Sequence, residues 1–468
     1  MVPYFPRTIA YRAIIVYLIS LAIVSAVFFR YLMLWGYIVL GITWVIAFFM
    51  LTEKWSREWR TISEKNYLRN IIRASVIIRL AWVVISYFYY ISWTGIPFEY
   101  DALDSYGYHE EALWFSETDW ATIWEAYFGS GFHGFADVGY PFYLGVVYKI
   151  FGPVIIIPRI IKVFISTYTC VLLYRVTSRI IGEDMGRLAG IIFVLMPNLV
   201  IYCGYHLKET EMIFLEVLFL ERADHLLRTA NIRFWDVFWP SLIALSMFFF
   251  RTVLGATAAF ALATGVLLAN YPSMKKGLRR VSLVGWGILC AVVVGGGALM
   301  TEIESYWEDR GDNAARQRLQ QTVRGNQWAQ YATGTVMAPM VFVLPFSTMV
   351  NVDEQYAQQT KHSGNYVRNF MGFFAILAIY EAIRRKKWRD LALPIAFVAS
   401  YLGVVAMSGF SNSERFLLPG MPLLIMLWTY GITTLRKQTY KYFMPWCVVV
   451  VLMEVGWAYF KLGSRGLF

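Results

Sequence analysis

Long apolar blocks separated by short basic segments run through most of this 468-residue sequence. A helix needs about 20 apolar residues to cross the hydrocarbon layer of a membrane, and most of the blocks reach or approach that length. Only 16% of the residues are charged, whereas a soluble domain usually carries about 25%. A water-soluble enzyme, a disordered scaffold and a fibrous protein are therefore excluded. The sequence predicts an all-α fold, a polytopic bundle of transmembrane helices.

The apolar blocks predict about 13 membrane spans. They lie at 10–29, 31–50, 74–95, 154–176, 188–205, 209–226, 235–250, 252–270, 281–300, 367–383, 391–408, 416–434 and 443–461. Four parts follow: two extra N-terminal helices with a basic connector at 1–73, a membrane core at 74–300, a second outer loop at 301–366 and C-terminal helices at 367–468. The core includes a first outer loop at 96–153, and both outer loops are expected to carry short interfacial helices.

Lysine and arginine residues cluster in every second connector between the predicted spans, which are the connectors that lie on the same side of the membrane. Cytoplasmic connectors carry such an excess of positive charge, so we expect a cytoplasmic N-terminus and both long loops on the opposite, outer face. The same clusters account for the net charge of +11 without a nucleic-acid partner. We expect the inner membrane of a Gram-negative cell, with the loops in the periplasm. A eukaryotic reticulum membrane would place the loops in the lumen instead.

The first outer loop is the most informative part of the chain. Between residues 96 and 138 it has no Lys or Arg and nine acidic residues: Glu99, Asp101, Asp104, Glu110, Glu111, Glu117, Asp119, Glu125 and Asp137. Asp104, Tyr108 and Ala112 recur every four residues, which predicts one face of a helix. Asp104 is then either the N-cap of that helix, the simpler interpretation, or a general base facing a membrane cavity. Burial in such a cavity would have to strengthen it as a base.

Several short motifs give the chain a family resemblance. They are Asp104-xxx-Tyr108-xxx-Ala112, the aromatic segment that begins Gly139-Tyr-Pro, Arg159 at the start of a span, Pro197-Asn198, Leu207-Lys-Glu209, and Glu414-Arg-Phe-Leu-Leu-Pro419. In this order they resemble the GT-C superfamily of glycosyltransferases, most closely the protein O-mannosyltransferase and lipid A aminoarabinose-transferase type. The resemblance covers roughly residues 74–434. Two features depart from the family's pattern: the two spans before residue 74, and Ser105 where an acid usually follows the loop Asp.

The resemblance implies an activity, two substrates and a catalytic residue. Such enzymes move a sugar from a polyprenyl-phosphate carrier to a glycan, lipid or protein acceptor on the outer membrane face. The early loop Asp, here Asp104, is the family's proposed base. We therefore expect inverting transfer, in which Asp104 deprotonates the acceptor hydroxyl and arginines stabilise the departing phosphate.

Other residues are candidates for binding the substrates. Glu209 or Glu211, with Lys208 and Tyr108, can face the same cavity as Asp104, although a charged turn between two helices is equally ordinary. Arg159 and Arg415 are candidates for binding phosphate, as is Lys149, because guanidinium and ammonium groups match its oxygens. Snorkelling to the headgroups is the alternative for these cations. His206 near two glutamates is weak evidence for a metal, so no metal is required, although a divalent ion remains open.

Two other functions remain as alternatives. A lipid-linked glycan polymerase or ligase would use the same carrier and join whole oligosaccharides. A transporter or flippase for a lipid-linked sugar would be expected to show inverted repeats and broken spans at matching positions of two halves. The sequence shows neither, and its polar residues gather at one face, which favours the transferase over the transporter.

Overall fold

A computed structural model describes residues 4–100, 102–128, 138–229, 231–268, 347–352, 356–407, 414–463 and 465–467. These residues form helices joined by short connectors. The first half contains α1 (Arg7–Val27), α2 (Trp35–Glu58), α3 (Glu64–Thr94), α4 (Leu103–Glu117), α5 (Trp120–Phe128), α6 (Gly139–Phe151), α7 (Ile156–Ile180), α8 (Glu183–Leu195), α9 (Pro197–Ile201) and α10 (Glu209–Arg228). The second half contains α11 (Phe234–Phe250), α12 (Thr252–Leu268), α13 (Tyr356–Arg384), α14 (Ala392–Met407), α15 (Glu414–Leu417), α16 (Met421–Thr434), α17 (Lys437–Tyr440) and α18 (Phe443–Gly463).

Seven helical segments within the described ranges are long and apolar enough to cross a membrane. They are Arg7–Val27, Trp35–Glu58, Glu64–Thr94, Ile156–Ile180, Tyr356–Arg384, Glu414–Thr434 and Gln438–Gly463. A bent pair, α8 and α9, brings the number to eight when it is counted as one span. The prediction of a helical membrane protein is confirmed at this level. Helices α11, α12 and the apolar part of α14 are shorter, and the predicted span at 281–300 lies outside the described residues.

The helices differ from the predicted segments at two places. The span expected at 188–205 is broken, because α8 and α9 meet at an angle of 55°. Pro197 begins α9, and a proline there has no N–H to continue the hydrogen bonds of α8. The second outer loop was expected to reach residue 366, but α13 already begins at Tyr356. The polar residues at 356–366 hid this helical start, because they interrupt the apolar pattern. Most of that loop, like residues 129–137 of the first, lies outside the described residues.

The two N-terminal helices pack into the bundle through α13. The Tyr17 hydroxyl lies 2.7 Å from Nε2 of His362, and the Tyr366 hydroxyl donates to the Ala13 carbonyl at 2.6 Å. Gly41 makes room for this contact, since a Cβ there would lie 2.3 Å from Nε2 of His362. The two hydrogen bonds fix α1, and the close approach at Gly41 packs α2, against the helix that carries part of the polar site described below.

Helices α4 and α6 cover one end of the bundle, called here the loop end. Ala112 of α4 packs with Tyr140, Leu144 and Tyr148 of α6 in a buried cluster. The two helices approach closely at Gly145, where a Cβ would lie 2.2 Å from the Phe115 ring. The α4 face that the sequence predicted at Tyr108 and Ala112 is therefore the face packed on the bundle.

Candidate functional site

Arg415 joins three distant parts of the chain at the loop end. Its guanidinium forms ion pairs with Asp104, near the start of α4, and with Glu209, the first residue of α10. The Glu209 side chain is fully buried, whereas that of Asp104 is 58% exposed. The site thus consists of one guanidinium between a buried carboxylate, Glu209, and a largely exposed one, Asp104. Three of the predicted residues, Asp104, Glu209 and Arg415, meet here.

Asp104 does not cap α4 as the simpler interpretation expected. Ala102 occupies the N-cap position, and Asp104 lies one residue inside the helix, in its first turn. A carboxylate in the first turn interacts favourably with the partial positive charge of the helix terminus. The expected burial is also absent, because Asp104 is more than half exposed and paired with Arg415. The adjacent Ser105 is buried and donates to the Glu99 carboxylate.

A second set of cations and aromatic rings surrounds the Arg415 ion pairs. Lys208 donates to the Phe250 carbonyl at 2.9 Å and lies 5.9 Å from the centre of the Tyr108 ring. Burial, together with the positive charge of Arg251, holds the pKa of Lys208 well below its usual range. Burial likewise raises the pKa of Tyr108 to about 12, although the charge of Arg415 opposes this. The predicted residues Lys208 and Tyr108 therefore line the same site.

The segment that carries Arg415 is held in place by Arg251 and Tyr401. Arg251 donates to the Tyr401 hydroxyl at 3.0 Å, and that hydroxyl donates to the Phe416 carbonyl at 3.0 Å. The Arg251 guanidinium also lies 4.2 Å from the centre of the Phe416 ring. Because Phe416 follows Arg415 directly, these contacts limit how α15 can move and keep the guanidinium directed at its two carboxylates.

Glu211 belongs to a different cluster from Glu209. Its carboxylate lies 3.6 Å from Nζ of Lys162 on α7, and both groups are buried. Lys162 also donates to the Tyr205 carbonyl at 3.0 Å and to the Leu207 carbonyl. Of the two predicted glutamates, Glu209 joins the Asp104 site and Glu211 pairs with Lys162.

Arg159 belongs to the cluster of Glu211 and Lys162 and does not lie beside Asp104. It is fully buried, donates to the Pro97 carbonyl, and lies 6.0 Å from the centre of the Phe98 ring. Nearby, the Tyr148 hydroxyl bridges two histidines, at 2.8 Å from Nδ1 of His109 and 3.2 Å from Nε2 of His206. Burial and the charges of Arg159 and Lys162 hold the pKa of His206 well below its usual range.

Lys149, a predicted ligand of phosphate, contacts backbone carbonyls near the end of α4. Its ammonium donates to the carbonyl of Thr118 and, at 3.4 Å each, to those of Phe115 and Ser116. These carbonyls close the C-terminal end of α4, where a cation satisfies the unpaired backbone oxygens. The predicted contact of Lys149 with phosphate stays a prediction.

The sequence interpretation missed a buried polar network next to Arg415. Asn198 donates to the Glu414 carboxylate and, at 3.0 Å, to Oδ1 of Asn365. Glu414 also lies 3.6 Å from Nζ of Lys361. Asn198 and Glu414 stand in the motifs that carry the family resemblance. The sequence therefore pointed to both residues, although it gave neither of them a role. Gly364 permits the approach, since a Cβ there would lie 1.5 Å from Oδ1 of Asn198.

Across the described ranges, no group of three His, Cys, Asp or Glu side chains is arranged to hold a metal ion. No protein-family model matches this chain, and no curated protein matches it significantly. The resemblance to the GT-C superfamily therefore stays a prediction from the motifs.

Proposed function

We propose that this chain is an integral membrane glycosyltransferase. It would take a sugar from a polyprenyl-phosphate or polyprenyl-diphosphate carrier and pass it to an acceptor hydroxyl on the outer membrane face. Asp104 would serve as the general base, and Arg415, assisted by Lys208, would bind the phosphate of the carrier. Arg159, Lys149 and Glu211 have no direct role in this proposal.

The observation that carries the proposal is the pairing of Asp104 and Glu209 with one guanidinium. A phosphate presents the same chemistry to Arg415 as a carboxylate does, and an Arg–phosphate pair can be bidentate. The exposed Asp104 is the easier of the two carboxylates to displace, because the Glu209 carboxylate is buried. Arrival of the carrier would therefore exchange Asp104 for phosphate on Arg415 and leave Asp104 free beside the sugar.

The chemistry then follows in one displacement. The acceptor oxygen attacks the anomeric carbon as its proton passes to the freed Asp104 carboxylate. The bond between the anomeric carbon and the phosphate oxygen breaks, and its electron pair leaves with the phosphate. Arg415 and Lys208 offset the negative charge that develops there. The product has inverted configuration at the anomeric carbon.

The test is sugar transfer by the purified full chain in nanodiscs, with a panel of polyprenyl-phosphate and polyprenyl-diphosphate sugars. We compare the wild type with Asp104→Asn, which keeps the size of the side chain but cannot take up the proton. We expect Asp104→Asn to lower the transfer rate by about 100-fold or more, the usual contribution of a general base. Binding of the donor should change little.

Glu117→Gln is the matched control, since Glu117 is an exposed acid at the other end of the same helix. It should transfer like the wild type. Equal rates for the wild type and Asp104→Asn would remove Asp104 from its role as base. Absence of transfer from every donor, in a folded protein, would overturn the proposed function.

A further inference from the structure

One face of α13 carries two cations and an amide. Lys361, Asn365 and Arg368 are spaced by four and three residues, so they lie above one another on the helix. Arg368 is fully buried, and none of its three guanidinium nitrogens has a hydrogen-bond partner among the residues that the structure describes. A buried guanidinium without a partner is costly, because arginine stays charged in proteins. Such a group needs an explanation beyond packing.

The charges around this face do not balance. Within the described ranges, Glu414 is the carboxylate that faces it, at 3.6 Å from Nζ of Lys361, and its charge also acts on Arg368. The neighbouring Arg415 is already matched by Asp104 and Glu209. Two cations, Lys361 and Arg368, therefore share one carboxylate. The buried face carries an excess positive charge that an anionic group would neutralise.

Consecutive residues connect this face to the Asp104 site. In α15, Glu414 contacts Lys361 and Asn198, whereas Arg415 contacts Asp104 and Glu209. The two cationic centres thus lie on either side of one short helix, the first partly exposed at the loop end and the second buried. A ligand with two linked phosphates would place one phosphate on each guanidinium, since a guanidinium matches the oxygens of a phosphate.

We propose that Arg368 and Lys361 form a second phosphate subsite, so that the carrier is a lipid diphosphate and not a monophosphate. This inference rests on the proposed function, since Arg415 is taken there to bind the first phosphate. The subsite accounts for a guanidinium that the described part of the chain leaves without a hydrogen bond.

The test compares prenyl diphosphate with prenyl monophosphate of the same chain length, bound to the full chain in nanodiscs. The wild type should bind the diphosphate about tenfold or more tightly, as expected for added charge-assisted hydrogen bonds. Arg368→Met should lose this preference and still bind the monophosphate. Inorganic diphosphate without lipid should bind far more weakly; binding as tight as that of the prenyl diphosphate would overturn the assignment to a lipid carrier.

Stability of the ligand-free protein gives a second measurement. Arg368→Met removes an uncompensated buried charge, so its unfolding temperature should equal or exceed that of the wild type. Arg384→Gln is the matched control, because Arg384 lies at the partly exposed end of the same helix in a pair with Glu381. It should keep the diphosphate preference. A large loss of stability in Arg368→Met would show a structural role and overturn the subsite.

The two proposals fail in different ways. Equal binding of the two carriers by a wild type that transfers sugar would overturn the diphosphate subsite alone. A clear preference for the diphosphate, without transfer from any donor, would support the subsite and overturn the proposed function.

Discussion

Removing Arg415 should destabilise the protein far more than removing Asp104, although both changes break the same ion pair. In Arg415→Gln the fully buried Glu209 loses its closest cation, and breaking a buried pair costs about 3–5 kcal/mol. Lys208 and Arg251 remain near Glu209 and reduce this penalty, so we expect about 2–3 kcal/mol. Asp104→Asn breaks a pair whose carboxylate is 58% exposed, and such pairs contribute about 0–1 kcal/mol.

A double variant separates stability from function. Glu209→Gln combined with Arg415→Gln removes both members of the buried pair, so no uncompensated charge is left between them. The double variant should regain all but about 1 kcal/mol of the stability lost in Arg415→Gln. It should nevertheless remain inactive, because it lacks the Arg415 guanidinium that is proposed to bind the first phosphate of the carrier.

A thiol-reactive fluorophore provides the assay. Three of the four cysteines, Cys170, Cys203 and Cys447, lie in the described ranges and are free and buried, so they should react when the bundle unfolds. Unfolding temperatures of the three variants are measured beside the wild type in the same detergent or nanodisc. The reasoning is refuted if Asp104→Asn destabilises as strongly as Arg415→Gln, or if the double variant is no more stable than Arg415→Gln alone.

Two further predictions concern residues away from the ion pairs. Gly364→Ala should destabilise the protein by about 1–3 kcal/mol, as overpacking does, because the new Cβ would meet Oδ1 of Asn198. Gly403→Ala is the control for thermal unfolding and should be near neutral, because no neighbouring atom of the described residues lies within 4 Å of its Cβ. His206 is held neutral when folded, since burial and the positive charges of Arg159 and Lys162 lower its pKa well below the ordinary value. The unfolded chain then binds more protons below about pH 6.5, so stability should be full above that pH and fall by up to about 1.4 kcal/mol per unit as pH decreases. His206→Gln should flatten the unfolding temperature between pH 5 and 8, and an unchanged slope would contradict the assignment.

Local sequence patterns were sufficient for the helical membrane class and for the loop helix. Hydropathy identifies segments such as Arg7–Val27 and Trp35–Glu58, because apolar length is a property of each segment alone. It did not reveal the bend at Pro197 or the early start of α13. In both places a polar or proline-containing stretch is buried by the rest of the bundle, and burial by tertiary packing leaves no mark in a hydropathy profile.

The candidate site shows the same division between local and distant information. Asp104, Glu209 and Arg415 were identified because each stands in a short motif, but their pairing depends on the folding of segments up to 311 residues apart. The contacts of Lys149 could not be predicted, because its partners are backbone carbonyls at the end of α4, and carbonyls carry no sequence signature. The sequence did not predict that Lys361 and Arg368 form one site, because their face of α13 is recognisable as a polar site only after folding brings Glu414 beside it.

The position of α15 links the two proposed phosphate contacts to the release of the base. Glu414 holds this short helix to Lys361 and Asn198, and Arg415 holds it to Asp104 and Glu209. A phosphate drawn to Lys361 and Arg368 would compete with Glu414, just as a phosphate on Arg415 would compete with Asp104. One ligand would thus weaken both attachments of α15 in the same event. Asp104 would become free only when the donor is bound, and the carboxylate would be kept from acting as a base in the absence of the sugar carrier.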